Sequence, residues 1–493
     1  MAIGSAAARL SLPTPPHPID APLMKLPIAR SMIVPLIVAT ALFMENLDST
    51  VITTALPQMA ITFDTTPIHL SVGITAYVLS LAIFIPVSGW FADRFGAKTV
   101  FRTAITVFTF GSVLCGLCNN VAELAGARVL QGMGGAMMVP VGRLIMFRSV
   151  AKSEFVTAMA YLTIPAMIGP TLGPPIGGFI TTYANWRWIF FLNVPMGLLG
   201  FALVTRFIEN YREPETPSLD WLGFLMTGTA LASFVYVCDL VERPQVDWGA
   251  IAIIGGVAIL AGFLSARHLR RTPHPVIDLT LFRVSTLSAS VIGGAVFRVG
   301  TSSLNYLLPI LLQVGLGYTA FLSGLMTVAA AIGSFAMKIA AIPILRRWGF
   351  RTALTVNALI SVVGVVVCVI FNEAMAPILI FTILAVAGFF RSLQYTALNS
   401  MAFADIPAQR MSAASSLSSM VQQMSNGMGV AFAAMALNFV LVLRGGSQDD
   451  MSLGDMRITF ILMALVTLAS TRWFARLEPD AGAEVSGHRA AAE

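Results

Sequence analysis

Hydrophobic and polar positions along this chain do not alternate, and they do not form narrow helical stripes. They fall in long blocks. Apolar runs lie at about 32–54, 70–91, 102–119, 124–146, 157–180, 188–207, 221–241, 249–266, 286–308, 321–343, 353–371, 376–398, 413–441 and 457–474, with short polar stretches between them. A helix needs about 20 apolar residues to cross the hydrocarbon of a bilayer, and each run is about that long. Hydrocarbon offers no water to unpaired N–H and C=O groups, so each run must be a helix. A β-barrel would instead need segments of about 10 residues with alternating polarity. Runs such as Ile251–Leu264 do not alternate. The pattern predicts an all-α membrane protein with fourteen transmembrane helices.

Composition agrees. Of the 493 residues, 57% are hydrophobic and 11% charged, and the mean hydropathy is +0.81. Soluble domains are about one quarter charged. So few charges exclude a cytosolic enzyme or a disordered chain. The net charge of +6 could suggest nucleic-acid binding, but the basic residues sit in short loops between apolar runs. With the N-terminus inside and fourteen crossings, 22 of the 30 Lys and Arg fall on the cytoplasmic side. Arg187, Arg243, Arg444 and Arg457 fall outside, and Arg128, Arg298, Lys338 and Arg391 fall within spans. That asymmetry is the positive-inside rule, and it places both termini in the cytoplasm. Residues 1–29, broken by Pro15, Pro16, Pro18 and Pro22, read as a cytoplasmic arm rather than a secretory signal.

An echo runs through the chain. The second span ends Arg94-Phe95-Gly96-Ala97-Lys98, and the tenth ends Arg347-Trp348-Gly349-Phe350-Arg351. Duplicated halves enclosing a midplane site are a common build for secondary transporters. The correspondence leaves two extra spans between the halves. The expected plan is a bundle over 30–210, an inserted pair over 211–284, a second bundle over 285–476 and a cytoplasmic tail over 477–493.

The stretch Gly89, Asp93, Arg94, Gly96 and Lys98 fits GxxxDRxGxK, with Gly96 permitting a tight turn. Here the chain resembles the major facilitator superfamily. Leu47-Asp48-Ser49-Thr50 with Ala55-Leu56-Pro57 resembles the first-helix motif of its fourteen-span drug/proton antiporters. Arg128-Val-Leu-Gln131-Gly132 resembles their fourth-helix motif, and Asn185-Trp186-Arg187-Trp188 through Asn193-Val-Pro195 also follows the pattern. Gly169, Pro170, Gly173, Pro174, Gly177 and Gly178 resemble the antiporter motif of the fifth helix. The chain also resembles the MdtD-type branch of the EmrB/QacA-like group. The resemblance implies a major facilitator fold of two six-helix bundles plus two inserted helices. It also implies export of small, partly apolar compounds in exchange for protons, by alternating access in the cytoplasmic (inner) membrane. The proton gradient would be the energy source, with no cofactor and no metal. Lipid, small-molecule substrate and protons are the implied partners; whether a periplasmic adaptor joins them stays open. On the residues themselves, glycines four apart let helices approach closely, and prolines allow a bend.

Glu45 and Asp48 lie three apart on one face of the first helix. A charge at the membrane centre costs about 2.5–3.5 kcal/mol on insertion scales, so an acid there should be paired, neutral or wet. Arg128 sits at matching depth. Asp48 is the expected proton-coupling acid, with Glu45 assisting and Arg128 as partner. A static salt bridge is the alternative. In the second half Arg298, Arg391 and Lys338, with Asn305, Tyr306 and Gln394, are candidates for the substrate cavity. They suit an anionic or zwitterionic substrate; for Lys338, snorkelling to the interface is the competing expectation. The Asp93 carboxylate is expected to meet the N-terminus of the thirteenth span near Ser412 and hold the outward-facing state. A specific transporter of an organic anion is the rival reading, and a non-transporting membrane sensor is a second.

The remaining features are structural expectations. Cys115 and Cys118 form a CxxC inside an apolar run, without a strand or His partner, and read as packing residues. His69, His268 and His274 read as loop residues without metal-ligand spacing. Phe155, Trp186, Trp188, Trp221 and Trp248 lie near span ends, as interfacial aromatics do. There is no phosphate-binding Gly-loop followed by Lys-Ser/Thr, so ATP is not the expected energy source.

Overall fold

The computed structural model describes residues 30–65, 67–242, 247–445 and 451–488. The predicted N-terminal arm, Arg243 and the end of the tail lie outside these ranges. Every regular element among the described residues is helical, and thirteen helices are long and apolar enough to cross a membrane. The first six are α1 (Arg30–Thr62), α2 (Val72–Phe95), α3 (Ala97–Leu117), α4 (Val121–Ser149), α5 (Phe155–Tyr183) and α6 (Trp188–Phe207). Next come α7 (Trp221–Glu242), α8 (Trp248–Leu269) and α9 (Ser285–Gly315). The last are α12 (Pro377–Met401), α13 (Met411–Arg444) and α14 (Leu453–Ala469).

Between α9 and α12 runs one segment, Ala320–Val366, of 47 residues. At about 1.5 Å per residue it is more than twice the hydrocarbon thickness of about 30 Å. Gly349, at φ +67°, interrupts it. The segment is therefore two crossings, α10 before Gly349 and α11 after it, which makes fourteen. Gly96, at φ +91°, makes the same reversal between α2 and α3. An L side chain is strained in that region of φ. The two glycines of the repeated Arg–aromatic–Gly–x–cation pattern thus do the same work in the two halves.

In the first bundle α1 packs on α5, α2 and α3 on α4, and α6 on α1 and α3. In the second, α9 packs on α13 and α14, and α10–α11 on α12 and α14. The α1–α5 contact is close because small residues line it. A Cβ at Gly169 would stand 2.9 Å from the Leu47 backbone nitrogen, and one at Gly173 or Gly177 would collide with Thr50 or Thr54. Gly178 faces open space, and the Pro174 side chain lies outside the described ones. The inserted helix α7 lies on the seam, against α2 and α13. Helix α8 packs on α7, and only 6% of its apolar window is buried, which leaves nearly all of it for lipid.

Four sequence expectations are corrected. Trp188, Trp221 and Trp248 are exposed at helix ends, but Trp186 and Phe155 are core residues. Trp186 Nε1 donates to Thr62 Oγ1 at 3.0 Å, so its indole closes the end of α1. His69, within the helix Pro67–Phe84, and His268, in the last turn of α8, are helical rather than loop residues, and His268 Nε2 lies 2.8 Å from Asp220 Oδ1.

Candidate functional site

Asp48 and Arg128 meet inside the first bundle. Arg128 Nη1 donates to Asp48 Oδ2 at 2.6 Å, and both side chains are almost fully buried. The other carboxylate oxygen accepts from Gln131 Nε2 at 2.9 Å and from Asn193 Nδ2 at 2.7 Å. Gln131 also donates to Ser112 Oγ at 2.6 Å, and its Oε1 accepts a second bond from Arg128 Nη1 at 2.7 Å. The guanidinium lies 5.5 Å from the Tyr77 ring centroid and 5.1 Å from that of Phe190. A buried ion pair persists only when its remaining hydrogen-bonding capacity is met. Helices α1, α3, α4 and α6 each supply a member of this network. Gln131 and Asn193 stood in recognisable motifs, but nothing in the sequence tied them to Asp48.

Glu45, one turn earlier on α1, faces elsewhere. It lines a cavity of about 480 Å³ between the two bundles. Its Oε2 accepts no hydrogen bond. The opposite walls carry Arg298, Lys338, Arg391 and Asn305. Arg298 Nη2 donates to Asn399 Oδ1 at 3.3 Å, and Lys338 Nζ donates to Thr396 Oγ1 at 2.7 Å. Lys338 is 5% exposed and so does not snorkel. Tyr306 and Gln394 do not line the cavity. Tyr306 packs against the Leu307–Leu311 core. Gln394 is buried between α11 and α12, its Oε1 accepting from Asn357 Nδ2 at 2.8 Å.

Sequence reasoning missed Arg143. It lies near the end of α4 and looks like an ordinary cytoplasmic-end cation. Instead it is buried on the cavity wall, donating from Nη2 to Gln422 Oε1 at 2.7 Å, while its Nε and Nη1 have no partner. A depth count could have raised the question, since Arg143 lies six residues before the helix end. A smaller cavity of about 170 Å³ continues from Glu45 toward the Thr62 end of α1, past Ser49 and Tyr77.

The opposite end, at Gly96, is closed. Ser412 in the first turn of α13 donates to Asp93 Oδ2, and Ser88 and Ser416 hydroxyls meet at 2.9 Å. A Cβ on Gly89 would stand 2.9 Å from the Ser412 carbonyl oxygen, so helix α2 lies directly on α13 there. Arg148 Nη2 pairs with Glu213 at 2.9 Å and lies 3.8 Å from Asp93. Phe147 and Phe403 join the halves with ring centroids 4.2 Å apart. Lys98 Nζ donates to the Thr205 carbonyl at 2.9 Å, and Arg94 is exposed. Pro170 adds to the cavity wall.

Comparisons with known proteins match this architecture. The sequence profile of the Major Facilitator Superfamily matches residues 38–430. The multidrug resistance protein MdtD of Citrobacter koseri is 34% identical over 90% of this chain and 94% of its own. The MdtD of Pectobacterium carotovorum subsp. carotovorum is 37% identical over 85% and 88%. Among solved structures, the human organic anion transporter MFSD10 has a TM-score of 0.62 at 14% identity, over 90% of this chain and 98% of its own. The proton:xylose symporter XylE has a TM-score of 0.60 at 13% identity, over 90% and 94%. These two likenesses concern the fold.

Proposed function

The chain belongs to the major facilitator superfamily, and from that premise we propose that it exports small amphipathic compounds in exchange for protons. It is a multi-pass membrane transporter rather than an enzyme. The positive-inside asymmetry puts the Gly96 end and both termini in the cytoplasm. The contacts that close the Gly96 end and the cavity that continues toward the Thr62 end support an outward-facing arrangement. The multidrug resistance name of the MdtD relatives supports drug-like cargo.

One observation carries the coupling: an acid on the cavity wall with an unsatisfied oxygen, next to a second acid whose oxygens are fully engaged. A carboxylate oxygen that no protein group engages, on the wall of the central cavity, is open to a proton or to cargo. Glu45 is therefore the exchanging group, and Asp48 with Arg128 holds α1 against α4. This reverses the order of the two acids expected from depth alone. Asp93 and Ser412 act as the cytoplasmic latch.

The test is pH-gradient-driven uptake in inverted vesicles, comparing wild type, Glu45→Gln and Asp48→Asn over a broad compound panel. Glu45→Gln should insert normally and lose the gradient dependence. Gradient-driven uptake at the wild-type rate in Glu45→Gln refutes the assignment. A second reading, a transporter of organic anions, draws on the four cations around the cavity. Inhibition by a single carboxylate class, with no interference from unrelated cations, would favour it.

A further inference from the structure

The midplane cavity holds unpartnered groups of both signs. On the acidic side is Glu45 Oε2. On the basic side are Arg143 Nε and Nη1 and Arg298 Nε, with Lys338 and Arg391 on the same walls. Glu45 and Arg143 form no ion pair, although each is within the other's electrostatic reach. Four cations against one acid leave the space net positive, with Asp48 already neutralised by Arg128.

Charge bookkeeping then constrains the cargo. Exchange requires that substrate and proton exclude each other. A purely anionic substrate would bind better when Glu45 is protonated, because the proton removes the one repelling charge. Anion and proton would travel together, which is symport. A purely cationic substrate would compete with the proton at Glu45 but would enter against Arg143, Arg298, Lys338 and Arg391. Only a molecule with both charges satisfies the two demands at once. Its cation displaces the proton at Glu45, and its anion meets the guanidinium groups. We infer that the cavity takes an amphipathic zwitterion, with the anionic end at Arg143 and Arg298 and the cationic end at Glu45. This rests on the exchange reading above. The titratable groups around Glu45 are Asp48 on its own helix, Tyr77 from α2, Arg128 and Arg143 from α4, and Arg298, Lys338, Arg391 and Tyr395 from the second bundle.

The test uses the full chain in nanodiscs and three dansyl probes of one fluorophore: Nε-dansyl-lysine (zwitterion), dansylcadaverine (cation) and dansylglycine (anion). Dansyl-lysine should bind at least tenfold more tightly than either of the others. Its affinity should fall as pH is lowered in the wild type and be pH-independent in Glu45→Gln. Arg298→Gln should weaken dansyl-lysine and dansylglycine but not dansylcadaverine, a pattern that loss of folding would not produce. Dansylglycine binding as tightly as dansyl-lysine, equal binding of all three, or no binding of any overturns the zwitterion assignment. A separate arm tests the reading beneath it. If proteoliposomes move bound dansyl-lysine independently of an imposed pH gradient, the exchange mechanism fails while the zwitterion site stands.

Discussion

Asp48→Asn removes one charge from the first bundle with almost no change of shape. In the wild type, Arg128, Gln131 and Asn193 donate to the carboxylate at 2.6, 2.9 and 2.7 Å. Asparagine offers a single acceptor oxygen. With that oxygen serving Gln131 and Asn193, its NH₂ group faces the Arg128 guanidinium, donor against donor. Arg128 keeps Gln131 Oε1 and the rings of Tyr77 and Phe190, but these are present in the wild type and offset nothing new. Removing one partner of a buried ion pair costs about 3–5 kcal/mol. For a chain of this size that is a fall of roughly 3–5 °C in thermal midpoint. The double variant Asp48→Asn with Arg128→Met removes the stranded charge and should regain more than half of the loss, so the two substitutions are strongly non-additive. Fluorescence-detected size exclusion after heating in detergent measures both. An Asp48→Asn midpoint within about a degree of wild type, or simple additivity in the double variant, would mean that the pair is not desolvated as described.

Ser412→Ala and Asp93→Asn loosen the closed end, so a cysteine placed at Thr163 on the cavity wall should react faster with an impermeant maleimide in inverted vesicles; unchanged labelling counts against the latch. Gly173→Val puts methyl groups into Thr50 at the α1–α5 contact, where overpacking costs about 1–3 kcal/mol; a lowered midpoint is expected, and Gly178→Val, which faces open space, should leave it unchanged. Asp278, in the linker before α9, pairs with Arg410 at 2.6 Å. Partial burial works against its carboxylate, but hydrogen bonds from Thr280 and Arg410 prevail and hold it below its ordinary value of 3.8. A depressed folded-state value means that its contribution is complete above the unfolded value and is lost as pH falls through the folded one. Asp278→Asn should therefore lower the thermal midpoint by a constant amount from pH 8 to 5, with the gap closing only in stronger acid.

The crossings were legible because hydrocarbon imposes one rule on every residue it touches, and the apolar blocks obey it. The bend at Gly349 was legible from its echo of Gly96, although Gly349 lies inside a helical run continuous enough to hide a turn. The Asp48–Arg128 pair followed from counting depth along two helices. What failed was direction around a helix axis. In a chain apolar on all sides, no stripe says which face is inward. Gln394 therefore looked like a cavity group and is a clasp to Asn357, while Arg143 looked like an end-of-helix cation and is a cavity wall. Lys338 illustrates the same gap: its depth allowed snorkelling, and the Thr396 hydroxyl holds it inside.

For the proposed exchange, the placement of the two acids relative to the moving parts favours Glu45 over Asp48. Arg128, Gln131, Ser112 and Asn193 all belong to the bundle that contains Asp48. When the two bundles rock against each other as rigid bodies, none of those distances need change. Asp48 therefore receives no signal from the transition and has no reason to release a proton during it. Glu45 differs, because its cavity is walled by Arg298, Lys338 and Arg391 from the other bundle. Rocking moves those three cations relative to its carboxylate, and at an effective dielectric of about 20 a charge shifting from 4 to 8 Å changes the interaction by about 2 kcal/mol. An acid can couple chemistry to alternating access only where it feels both bodies, and on α1 Glu45 occupies such a position.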